Sequence, residues 1–122
     1  MDRTEKLQEK LDGSEDADLI MMSILEVFTE TEWVPDAGKY YTFIYIAKTP
    51  DKYYDEHPLV AVTSVEKWGF KGLNFHWGES RNYTWQEVVG ALHVINNDEI
   101  EYLRSLPYAK YRAKSLKNSK MA

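Results

Sequence analysis

The chain contains no cysteine in its 122 residues. That absence excludes a disulfide framework, a thiolate zinc site and a catalytic thiol, and it suits a reducing compartment. Histidine is scarce as well. His57, His76 and His93 stand 19 and 17 residues apart, with no i, i+2 or i, i+4 pair of the kind that grips a metal, so no metal or other cofactor is expected. Long apolar runs are missing too. The best, LIMMSILEVF at residues 19–28, holds ten residues including Glu26, whereas a bilayer-spanning helix needs ~20. The amino-terminal stretch is charged throughout and has no apolar signal-peptide core. Glycine is sparse, and the stretches WGFKG and HWG match neither GxxxxGK[ST] nor GxGxxG; no nucleophile elbow occurs.

What the chain does have is aromatic side chains, nine Tyr, four Trp and four Phe, within 43% hydrophobic content. That composition excludes wholesale disorder, and the length fits one domain with extensions. Net charge is −5, but from residue 102 onward there are six Lys/Arg and no Asp or Glu. Removing that +6 leaves −11 for residues 1–101. An acidic body with a basic tail predicts that Arg104, Lys110, Arg112, Lys114, Lys117 and Lys120 meet an anionic partner, nucleic acid or the acidic face of a protein. The organisation expected is an acidic segment and apolar helix over 1–37, a folded domain over 38–107, and a flexible basic tail over 108–122.

Residues 1–12 fit a short charged helix broken by Gly13, and Ser14 or Asp16 caps a second helix reaching about Phe28. Ala17, Ile20, Met21, Ile24 and Phe28 share one face of it, and Leu19, Met22, Leu25 and Val27 extend that face almost all round. A helix so apolar must be covered by the domain or by a partner. Ile20, Met21, Ile24 and Phe28, together with Trp68 and Trp77, are therefore the expected protein interface, with self-association a consequence if the domain is too small to cover the helix. Strands are predicted over 40–49, 59–67 and 70–77, the first apolar on both sides and hence central, or in a closed barrel with its outer face covered. A bulge near Gly72 would repair the broken alternation of the third, and a further short strand is indicated at Asn82–Tyr83. The TWQE pattern at 84–87 reads as a capping box opening a helix over 85–95, with Val88, Val89, Leu92 and Ile95 on one face, and a last helix, DEIEYLRSL, is stopped by Pro107. Successive strands on short loops pair antiparallel, so the expected fold is α+β, a small SH3-like partial barrel with an N-terminal helix and two short C-terminal helices.

The densest stretch, WGFKGLNFHWGESRNYTW at 68–85, reads as the wall of that barrel. The chemical alternative gathers His76, Glu79 and Arg81 at one barrel end, the imidazole as general base and the guanidinium on a phosphate, which would suit a nuclease. Asp51, Asp55 and Glu56 beside Lys52 read as a solvated turn and not a cation site. The rings exceed what so small a barrel can enclose, and the acidic body repels phosphates, so exposed rings point to protein contacts before base stacking.

The block from GKYYTFIYIAKTP through YDEHPLVAVTSVEKWGFKGLNFHWGESRNYTWQEVVGAL, about residues 38–95, resembles a group of small proteins of T4-like tailed phages, notably those of marine cyanobacteria. The shared pattern lies at Gly38 to Tyr45, Lys48-Thr49, Tyr54 to Val60, Gly69 to His76 and Arg81 to Trp85. The resemblance implies a phage protein, a virion-associated or DNA-handling accessory factor made in the host cytoplasm; taken with the residues, the expected role is binding and not chemistry, with a host-directed inhibitor whose acidic body mimics nucleic acid as a further reading. A looser likeness to the SH3-like barrels of toxin endoribonucleases rests on Pro58-Leu59-Val60 and Gly72-Leu73, but His57 stands where those proteins carry arginine.

Overall fold

The computed structural model describes residues 2–48 and 53–113, with no account of side chains at 53 and 111–113. It is an α+β fold. Helix α1 (Arg3–Leu11) opens on a capping box: the Asp2 carboxylate accepts from the Glu5 amide at 2.9 Å, and the Glu5 carboxylate accepts from the Asp2 amide at 3.1 Å. It ends at Asp12 in the left-handed region, with Gly13 following at φ +80°. Asp16 caps α2 (Ala17–Val27), accepting from the Asp18 and Leu19 amides.

The expected docking face of α2 is covered by the chain itself. Ile20, Met21, Ile24 and Phe28 pack with Leu7 and Leu11 of α1 and with Leu59, Ile95, Ile100, Leu103 and Tyr108 in one core. Arg3 fastens α1 by a two-pronged bond to Glu99, at 2.8 and 2.6 Å, with its guanidinium also over the Phe28 ring. Helices α1 and α2 thus share a core with the central block. The tail also begins inside: Tyr108 is fully buried, and Tyr111–Ala113 form a strand.

The main sheet has six antiparallel strands: β1 (Thr31–Glu32), β2 (Tyr40–Tyr45), β4 (Leu59–Val65), β5 (Gly69–Asn74), β6 (Glu79–Thr84) and β7 (Val88–Ile95), in the order β1-β7-β2-β4-β5-β6. A second small sheet pairs β3 (Tyr53–Asp55) with β8 (Tyr111–Ala113). As expected, β2 is central and two-sided. Its Tyr41, Phe43 and Tyr45 join Val60, Val62, Phe70, Tyr83, Leu92 and Val94 in an aromatic core on one face, while Tyr40 and Ile44 pack toward the helices on the other. The rings of Tyr45 on β2 and Tyr83 on β6 meet edge to face with centroids 5.0 Å apart. In a flat sheet three strand spacings would separate them by ~14 Å, so the sheet rolls over its aromatic face. It stays open: among the described residues β6 pairs with β5 alone.

The helix expected over 85–95 is not formed. Trp85–Glu87 make one 3₁₀ turn, and Val88–Ile95 form β7 between β1 and β2. The spacing of Val88, Val89, Leu92 and Ile95 fits a helical face, but four of the eight residues are β-branched and favour a pleated, half-buried surface. Gly90 at φ +79° is also incompatible with a helix interior. One α-helix, α3 (Ile100–Ser105), therefore occupies the carboxyl-terminal region where two were expected. The bulge falls at the level of Gly72 but on the facing strand β4, where the register shifts between Val62 and Ser64. Gly72 pairs with Val62, and a Cβ there would overlap the Val60 side chain, so the position takes glycine. Leu73 consequently faces outward.

Candidate binding cleft along β6

The β5–β6 hairpin turns on Asn74, which is fully buried. Its carbonyl oxygen accepts from the His76 and Trp77 amides, both at 2.9 Å, and shapes the turn. Its amide nitrogen donates to Asp55 at 3.2 Å and to the Tyr83 hydroxyl at 3.3 Å. All four hydrogen-bonding positions of this one side chain are thereby used. The Asp55 carboxylate also accepts from the His57 amide at 2.8 Å. Burial still pushes the Asp55 carboxyl above its ordinary range, against those bonds.

The turn carries Trp77 toward β6, where the Arg81 guanidinium lies 3.8 Å from the centre of its ring. Arg81 also reaches Glu79, at 3.5 Å. Across from them stands Glu87, 5% exposed, accepting from the Tyr45 hydroxyl at 2.5 Å, the Lys48 amide at 2.6 Å and the Thr84 hydroxyl at 2.7 Å. The Thr84–Glu87 pair read in the sequence as a helix cap is instead a side-chain bond that locks the β6–β7 corner. Burial, with the Glu87 contact, raises the Tyr45 phenol far above its ordinary value, so it remains a donor.

These groups enclose a half-open cleft of about 710 Å³. One side is the whole of β6, Glu79 to Thr84, with Trp77; the other is Tyr45, Ala47, Tyr54, Asp55 and Glu87, and Trp68, 40% exposed, stands at the rim.

No known protein family, curated protein or solved structure matches this chain. The placement of its residues is therefore the ground for any reading of its role.

The trio His76, Glu79 and Arg81 is not assembled. Glu79 and Arg81 line the cleft, whereas the His76 ring packs edge-on against Tyr108 at 4.9 Å, beneath α3. Both its ring nitrogens are buried without a hydrogen-bond partner among the described residues, and burial holds the imidazole below its ordinary pKa. Of the expected interface, Trp68 is exposed and Trp77 is half-covered by Arg81, while Ile20, Met21, Ile24 and Phe28 are interior. Of the tail cations, Lys110 pairs with Asp18 at 3.1 Å and Glu56 at 3.8 Å, and Arg104 lies 5.7 Å from the Phe75 ring. Arg112 sits on β8 opposite Tyr54; Lys114, Lys117 and Lys120 lie outside the described residues, as does Asp51. Among the described residues no cluster of three or more His, Asp or Glu is placed to hold a metal ion.

Sequence reasoning missed Asn74, Asp55, Tyr45 and Glu87 as a connected set. One signal was available: an asparagine directly before an aromatic turn ending in glycine, NFHWG, is the pattern of a side chain capping its own turn.

Proposed function

We propose that the protein works by binding another protein through the β6 cleft and its aromatic rim, as an accessory factor of a tailed phage. The observation that carries this reading is the composition of the cleft. It joins a partly exposed tryptophan, polar edges and buried, fully bonded support, the makeup of a docking surface. The nuclease alternative needs an imidazole and a guanidinium facing one substrate, and here they face different sides of the hairpin turn. The rolled sheet is in keeping with a partial barrel of the SH3-like kind, opened along β6. The phage source rests on the sequence resemblance. A DNA-binding tail is supported less, because Lys110 already serves acids of its own chain.

A photo-crosslinking aromatic residue in place of Trp68, in the host that makes the protein, should give a discrete protein adduct. The same residue at Glu101, on α3, should give none. Equal labelling from both positions, or cleavage of RNA or DNA by the pure protein that His76→Ala abolishes, overturns the proposal.

A further inference from the structure

The geometry points to the occupant of that cleft: we propose that an extended peptide segment of a partner protein adds to the free edge of β6 as a new strand, and that a lysine or arginine side chain on it meets the cleft carboxylates. This rests on the binding reading above and makes it specific.

The hydrogen-bond register supplies the first support. The Trp85 amide donates to the Trp68 carbonyl at 3.2 Å, one step beyond the Gly69↔Thr84 pair. Antiparallel ladders alternate bonded and non-bonded pairs. The bonded pairs of this hairpin are therefore Phe70↔Tyr83, Gly72↔Arg81 and Asn74↔Glu79, and the amides and carbonyls of Ser80, Asn82 and Thr84 point away from β5. No backbone partner for these three residues occurs among the described residues. Such a row is a template for another strand unless it is blunted, and β6 carries neither proline nor lysine to blunt it.

The cleft supplies the second. Successive residues of a strand face opposite sides, yet the cleft touches all six residues of β6. It therefore runs beside the strand's edge, where an added strand would lie. The third is charge. Among the described residues, Asp55, Glu79 and Glu87 line the cleft against one cation, Arg81. Glu79 is the accessible carboxylate, its side chain 61% exposed, while Asp55 and Glu87 are buried. A cationic side chain beside Glu79 gains from this field and an anionic one loses. A phosphate backbone would meet the same carboxylates, which disfavours nucleic acid as the occupant.

The test uses the full-length ¹⁵N-labelled protein and two pools of end-blocked octapeptides rich in Thr and Val, one with a central Lys and one with a central Glu. The Lys pool should shift the amide resonances of residues 79–84 and slow hydrogen exchange at Ser80, Asn82 and Thr84. The Glu pool should bind at least tenfold more weakly. Asn82→Pro removes an outward amide and leaves the β5–β6 bonds in place, so it should weaken the Lys pool at least tenfold. Glu79→Gln should erase the preference between pools, and it carries the test if the proline variant does not fold. Equal binding of both pools, shifts centred away from β6, no binding, or edge amides already protected in the free protein (the edge then being filled by the chain's own segment or a second copy) each overturns strand addition. A Trp68 adduct alongside any of these would leave the binding reading standing without it.

Discussion

Replacing Asn74 with Asp changes almost no volume, but it sets a second carboxylate against buried Asp55 and removes the donor that bridges Asp55 and Tyr83. Two carboxyls at hydrogen-bonding distance out of water cannot both ionise, so the folded variant retains a proton that the unfolded chain releases above the ordinary value of 3.8. The folded state then binds more protons than the unfolded state, and stability falls as pH rises. Wild-type Asp55, itself raised by burial, follows the same sign over a narrower window, so the difference between the proteins grows once wild type has lost its proton and the variant has not. One proton corresponds to about 1.4 kcal/mol per pH unit, so between pH 5 and pH 7 the gap widens by up to that much for each pH unit above the point at which wild-type Asp55 has lost its proton. Urea unfolding at intervals across that range measures it. Asn82→Asp, with the same charge change on an exposed residue of the outer face, is the control and should show a flat difference. A gap for Asn74→Asp that is equally flat would refute the buried Asp55–Asn74 contact on which the cleft's support depends.

Gly72→Ala should destabilise by about 1–3 kcal/mol in chemical denaturation, because the new methyl has to displace the Val60 side chain between β4 and β5. His76→Phe keeps the ring against Tyr108 and removes two buried nitrogens that lack partners, so thermal melts at neutral pH should match or exceed wild type. The folded imidazole's pKa is depressed, so the unfolded chain takes up its proton first, and wild type loses stability as pH falls below about 6.5; the phenylalanine variant should be spared that loss. Tyr45→Phe removes a donor to the buried Glu87 carboxylate and should cost about 1.5–3 kcal/mol in the same unfolding assay, with the β6–β7 corner the first amides to lose exchange protection.

Local signals in the sequence placed both amino-terminal helices, since Asp16 and Gly13 punctuate them in the chain itself. They also placed β2, where apolar residues on both alternating sets require two covered faces. The failure at 85–95 has a specific cause. A helical stripe of four apolar residues is also obtained from a strand buried on both faces, and only the β-branched content and Gly90 separate the two. The interface assigned to α2 failed because periodicity reports which face is apolar and not what covers it. Its cover, Leu7 and Leu11, lies in a helix that looked purely charged. The cleft was half legible: Glu79, Arg81, Trp68 and Trp77 stood out as a cluster in the chain, whereas Asp55 and Tyr45 enter it through the rolling of the sheet, a long-range event with no local trace.

The two ends of the main sheet are unequal. At one, β1 is two residues long, Glu32 is held by Lys39, and the exposed part of β7 beyond it is bent by Gly90. At the other, six residues of β6 stand ready. A sheet with one ready edge can be joined there once, so, as far as the main sheet is concerned, copies that stick through β6 would stop at pairs and not stack side by side without end.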